Sequence, residues 1–308
     1  MKKYENYLLL TLMIIIWSFS FVVVDISVEY IPPLSVALYR FVIASGTYIL
    51  IRIYRKIFTS DSSSQKKTSY SLSSWVYLFF ASLTGVSFFF YTQYNAIELI
   101  GPSLPALFVC LLSPVLISFL ALFLFKEPLT LLKAIGFIIA SIGGFLLVTG
   151  GDLGTLFPSS PSFLGFFFAL LTPVSWSIYS TLTKKIPKTN SHHRMLEYIG
   201  YLGTLELFFL VVFSNELEIF LQFFFHPVVL LSGLYLGVGC YVVGYYIWQY
   251  SQKNLMSSKV ASFLYFEPFI TLLISTLLQR EEVIVIWNIL GGVIVLVAVV
   301  LINYEKRV

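Results

Sequence analysis

Charge is what this sequence has least of. Of its 308 residues, 11% are Asp, Glu, Lys or Arg and 58% are hydrophobic, against roughly 25% charged in soluble domains. A soluble fold of this length lacks the polar side chains to cover itself, so the surface must face lipid. Cysteine is almost as scarce. Cys110 and Cys240 both fall inside apolar runs, which argues against a disulfide framework or a metal cluster and reads as small packing residues. Phosphate-binding and catalytic signatures are also missing: there is no Gly-x-x-x-x-Gly-Lys-[Ser/Thr], no Gly-x-Ser-x-Gly, no Asp-x-x-Asp and no His-x-x-x-x-Asp. The chain is therefore read as neither an ATP-driven pump nor an enzyme, with no catalytic residue, metal or cofactor. A membrane-embedded enzyme is the alternative outside transport.

The apolar residues that are present come in blocks of about the length that crosses a hydrocarbon core, roughly 20 residues of helix. The expected spans are 8–26, 34–55, 75–96, 102–124, 131–150, 162–183, 196–214, 228–250, 257–279 and 284–303. Backbone groups in lipid must be satisfied internally, which leaves helices or a closed barrel. These runs are continuously apolar rather than alternating, so the fold class is all-α, with ten transmembrane helices. The first run is too long for a secretion signal and lacks a small-x-small cleavage site after Val24, so it is read as a helix.

Positive charge marks the cytoplasmic side. With the N-terminus inside, the inner segments hold every Lys and Arg of the 19 except Arg40, within a span, and Arg280. The outer loops carry Asp25, Glu29, Glu98, Asp152, Glu216, Glu218, Glu281 and Glu282. Ten helices with both termini in the cytoplasm account for nearly every charge. The net charge of +4 is thus a topology signal, and no nucleic-acid partner is expected. The Ser- and Lys-rich stretch 58–74 reads as a flexible cytoplasmic loop, and His192 and His193 as solvated loop residues.

The chain also repeats itself. Ser113-Pro114 followed by Phe125-Lys126-Glu127 recurs, 154 residues on, as Glu267-Pro268 followed by Gln279-Arg280-Glu281. Each copy runs into a helix with a glycine pair, Gly143-Gly144 or Gly291-Gly292, and Trp17-Ser18 matches Trp176-Ser177. Two units follow, residues 1–150 with helices 1–5 and residues 151–308 with helices 6–10. Five is odd, so the second unit enters the membrane inverted. Inverted repeats of this kind place a solute site near the midplane between the halves.

At these residues the sequence resembles the drug/metabolite transporter superfamily, specifically EamA-type ten-helix transporters. The resemblance rests on Trp17-Ser18-Phe19-Ser20-Phe21, on Pro32 and Arg40 entering helix 2, on Pro114 with Lys126-Glu127-Pro128-Leu129-Thr130, and on Glu267-Pro268 with Arg280-Glu281. It implies alternating access between two five-helix bundles and transport, often export, of amino acids or other metabolites. A nucleotide-sugar or other organic-anion carrier of the same superfamily is the alternative. Helix 7 has no counterpart of Arg40, and its Glu206 is not a feature of the pattern.

Charges at bilayer depth face a cavity or a partner. Glu267, Glu206 and Arg40 are the candidates, with Arg40 expected to snorkel outward to Asp25 or Glu29. Glu267, followed by Pro268, could carry protons, and Glu206 is the second candidate for coupling. A recurrent polar-aromatic face adds to these. Ser87, Tyr91, Tyr94 and Glu98 share 4-3-4 spacing with Tyr241, Tyr245, Trp248 and Gln252 and with Thr172, Trp176, Tyr179 and Thr183. The expected cavity lining is Trp17, Tyr91, Tyr94, Ser113, Trp176, Tyr179, Tyr245, Trp248 and Glu267, suited to a small, mostly apolar solute with a few fixed polar contacts. The expected partners are that solute and the bilayer of the cell membrane; monomer and homodimer fit the sequence equally. The topology has a direct check. On a cysteine-free background, a cysteine replacing Gln65 should react with a membrane-impermeant thiol reagent only after cells are permeabilised; labelling of intact cells would reverse the orientation.

Overall fold

The computed structural model describes residues 2–58, 70–124, 130–186, 192–254, 260, 262–280 and 284–302. Among them lie ten principal helices. They are α1 (Lys2–Ser27), α2 (Pro33–Phe58), α3 (Leu72–Ile100), and α4 in three pieces (Ser103–Leu107, Phe108–Leu112 and Ser113–Leu124). There follow α5 (Leu131–Thr149), α6 (Phe163–Lys185), α7 (His192–Phe213), α8 (Pro227–Leu234, Tyr235–Gly244 and Tyr245–Asn254), α9 (Ser262–Phe266 and Glu267–Leu277) and α10 (Ile286–Ile302). Six are long and apolar enough to cross a membrane, and the other four appear as shorter apolar helices. Residues 59–69 of the basic loop, 126–129 and 281–283 lie outside the described residues. His193, expected in a solvated loop, instead sits in the first turn of α7 with its ring 5.1 Å from that of Tyr48.

Local signals set the helix ends. Ser71 caps α3 by accepting from the Ser74 amide at 3.3 Å. Gly101 then ends α3 at φ 77°, a conformation that costs glycine little. Pro33 and Pro227 occupy first turns, where no N–H is missed.

Four helices depart from α geometry, and they do so in matched pairs. Phe108–Leu112 in α4 forms a widened π turn; 154 residues on, Ser262–Phe266 in α9 is tightened into a 3₁₀ turn. Each precedes a proline, Pro114 or Pro268, whose missing N–H and bulky ring disturb the carbonyl four residues earlier. Those carbonyls belong to Cys110 and Leu264. The second pair is α3, widened at Leu83–Ser87, and α8, widened over Tyr235–Gly244, and the same offset superposes them. A continuous helix over 257–279 was the expectation. In fact Glu267 opens the regular part of α9, because Pro268 is tolerated in a first turn but not inside one.

Packing follows the duplication. α3 lies on α6 as α8 lies on α1, and α4 lies on α6 as α9 lies on α1. α2 pairs with α7, α4 with α9, and α5 with α10. Every one of these contacts maps onto another, or onto itself, when the halves are exchanged. The α5–α10 seam has the closest backbones. A Cβ added at Gly291 would stand 2.4 Å from the Leu147 amide nitrogen and 2.6 Å from the Gly143 carbonyl oxygen, so small residues are required there. Exposed Ile138, Ile142, Val293 and Val297 turn outward from the same two helices. Gly291→Leu is expected to destabilise the protein by about 1–3 kcal/mol, the usual cost of overpacking. Gly144→Ala, whose nearest neighbour would be 3.6 Å away, should melt like wild type in detergent. Equal melting of the two variants would contradict this seam.

Candidate functional site

A cavity opens between the halves, level with the helix breaks. It is lined by Trp17, Ser20 and Phe21 of α1, Arg40 of α2, Phe89, Phe90 and Gln93 of α3, and Val109 and Cys110 of α4. Trp176 of α6, Tyr245 of α8, and Leu264 and Glu267 of α9 complete it. Cys110 and Leu264, the residues whose carbonyls the prolines disturb, both face this space. Among the described residues, none of α5, α7 or α10 belongs to the wall.

Three aromatic rings form one side. Trp17 lies 5.5 Å from Tyr245 and Tyr245 lies 6.0 Å from Trp176, both edge to face. Trp17 is locked by its indole N–H, which donates to the Cys240 carbonyl at 3.1 Å. Trp248 backs Trp17 at 5.9 Å, and Tyr179 backs Trp176 at 5.2 Å. Neither backing ring reaches the cavity wall. Ser113 is buried behind it, where its carbonyl accepts from Ser177 Oγ at 3.4 Å.

An arginine and a glutamate share the cavity and form no ion pair with each other. Glu267 is 4% exposed and accepts a bond from the Cys110 thiol at 3.3 Å. Cys110, read from sequence as packing alone, is thus the polar neighbour of this carboxyl. Arg40 does not snorkel. It is 4% exposed, its Nη1 donates to the Tyr94 hydroxyl at 2.8 Å, and its guanidinium lies 4.2 Å from the centre of the Phe90 ring. Asp25 and Glu29, the partners expected for it, are taken by Arg280 at the end of α9.

Tyr91 and Glu206 lie elsewhere. Tyr91 packs on Phe168 at 5.6 Å in the α3–α6 interface. The helix is regular from Phe88 to Ile100, and there Phe89, Phe90 and Gln93 face the cavity while Tyr91, one or two residues away from each of them, points to α6. Glu206 bonds Ser82 Oγ at 2.6 Å and Ser87 Oγ at 2.5 Å, tying α7 to the widened turn at Leu83–Ser87. Gln93 and Phe90 were overlooked in the sequence; a pair of amides, Gln93 and Asn95, inside an apolar run was the available signal.

This architecture agrees with the comparisons. The sequence profile of the EamA-like transporter family matches twice, over residues 6–149 and 163–304, and the chain belongs to that family. It is a multi-pass membrane transporter built from two inverted five-helix repeats, and it moves a small molecule across the bilayer. An uncharacterized transporter of Archaeoglobus fulgidus is 26% identical over 304 residues, covering 98% of this chain and 99% of that one. The uncharacterized transporter YyaM of Bacillus subtilis is 24% identical, covering 97% and 93%. A solved crystal structure at 18% identity superposes with a TM-score of 0.59 over 97% of both chains, a likeness of fold.

The bonds from Arg280 to Asp25 and Glu29 join the end of α9 to the end of α1, one from each half, and are expected to hold that end of the bundle closed. With Cys240→Ser leaving Cys110 as the cavity thiol, Arg280→Gln is expected to speed Cys110 alkylation from that side by about tenfold, the effect of roughly 1.4 kcal/mol of lost closure. Stopped-flow thiol labelling reads this, and an unchanged rate would remove the pair's closing role.

Proposed function

We propose that the cavity is the solute site of a secondary transporter working by alternating access. Small metabolites such as amino acids are carried outward across the cell membrane, and both termini lie in the cytoplasm. The observation that carries the reading is the composition of the wall. Both halves contribute to it, three aromatic rings offer an apolar face, and an arginine and a glutamate with no ion pair between them stand at the level of the helix breaks. Breaks in membrane helices are tolerated where they line a cavity, and in inverted-repeat transporters they accompany the substrate. Trp17, Trp176, Tyr245 and Glu267 are assigned to contact the solute. Tyr94, Tyr179, Trp248 and Ser113 support that shell, and Tyr91 stands apart from it. Arg40 on the wall favours a second reading, an organic-anion carrier, although a single guanidinium poorly matches the diphosphate of a nucleotide sugar.

Glu267 is assigned the coupling role. A carboxyl inside the membrane that accepts a bond from a thiol and has no ion-pair partner among the described residues can take up and release a proton as the cavity opens to each side. Glu206 is second, since two serine hydroxyls already hold it outside the cavity. Reconstituted into proteoliposomes, the protein should accumulate amino acids in preference to nucleotide sugars under an imposed pH gradient. Glu267→Gln keeps the shape of the group but cannot ionise. Exchange of labelled solute is expected to survive in this variant while pH-driven accumulation disappears. Accumulation at the wild-type level would clear Glu267 of the role and pass it to Glu206.

A further inference from the structure

Arg40 is a cation buried at the core of a membrane protein, with no acidic side chain in ion-pair range among the described residues. Burying a charge is costly unless it is paired, and what surrounds Arg40 orients it without neutralising it. The Tyr94 hydroxyl takes one hydrogen bond from Nη1, and the Phe90 ring lies under the guanidinium plane. Its Nε has no hydrogen-bond partner and is fully buried. The residue nevertheless faces the cavity.

We propose that Arg40 binds the carboxylate of the transported solute, whose apolar or aromatic body lies among Trp17, Trp176 and Tyr245. The inference rests on reading this cavity as the solute site. Tyr94 holds the Nη1 side and fixes the guanidinium plane, and Nε, buried without a partner, keeps its donor unspent until a solute takes it. The Nε edge offers two parallel N–H donors, which match the two oxygens of a carboxylate. One positive charge in a dry pocket is balanced by one negative charge, so a monocarboxylate fits better than a dianion such as phosphate. An ammonium group on the same solute, as in an amino acid, has Glu267 on the wall of the same cavity to meet it.

Three probes with one aromatic skeleton separate the groups: L-phenylalanine, 3-phenylpropionate and 2-phenylethylamine. Binding is read as the concentration dependence of thermal stabilisation of the purified protein. Both carboxylates are expected to stabilise wild type, and the amine is not. Arg40→Gln should weaken both carboxylates by about 10- to 100-fold, the worth of hydrogen bonds to a charged group. Arg40→Lys, which keeps the charge and loses the fork, should fall between. If the Arg40 variants do not fold, the wild-type panel still decides, because stabilisation by the amine as strong as by the carboxylates overturns the assignment. Carboxylate binding unchanged in Arg40→Gln but lost in Trp176→Ala also overturns it, and leaves the cavity as the solute site. Binding unchanged in Trp176→Ala overturns the cavity reading itself. No stabilisation by any of the three overturns the proposal.

Discussion

Inside a bilayer there is no water to satisfy a backbone group that its helix has released, and the rest of this structure depends on that constraint. Pro114 and Pro268 each disturb a carbonyl one turn earlier, and neither disturbance could be left facing lipid. The residues concerned, Cys110 and Leu264, both line one internal cavity. The widened turns of α3 and α8 are likewise kept within the bundle. Leu83–Ser87 is covered by α7 through Glu206, and Tyr235–Gly244 is covered by α1 and α2. The site is thus located by where irregular backbone can be tolerated, and the aromatic wall is built around that place.

The division of labour among helices follows. α5 and α10, free of proline and carrying glycine pairs, pack backbone to backbone on the far side and, among the described residues, contribute no side chain to the cavity. α1 and α6 each bridge two irregular helices, and each supplies a tryptophan to the wall. Trp17 and Trp176 meet the same ring, Tyr245, from opposite halves. The duplication is visible in the side chains as well as in the course of the chain.

Much of this was legible in the sequence because the signals were one-dimensional. Span lengths and the 154-residue offset need no tertiary information. Trp17, Trp176, Tyr245 and Glu267, singled out as polar or aromatic positions inside apolar spans, do line one cavity, although Tyr245 and Glu267 each directly follow an irregular segment. Spacing alone failed for Tyr91: it shares a helical stripe with Ser87 and Tyr94, but the cavity side of α3 is the neighbouring stripe of Phe89, Phe90 and Gln93, and which stripe faces inward is set by packing against α6. Arg40 failed for another reason. Asp25 and Glu29 lie close to it in the sequence, but both are claimed by Arg280, more than 250 positions away. A competition for partners between distant segments leaves no periodic trace.

A positive charge fixed inside the bundle without a counter-ion also feels the membrane potential, at about 2.3 kcal/mol per elementary charge for each 100 mV traversed. In the alternating access proposed above, the field would drop across a different side of Arg40 in each orientation. An empty carrier would then move net charge through part of the field, and a carrier with an anion on Arg40 would not. Voltage would act on the return step rather than on the loaded step, and a cell's resting potential would bias which way the unoccupied protein faces.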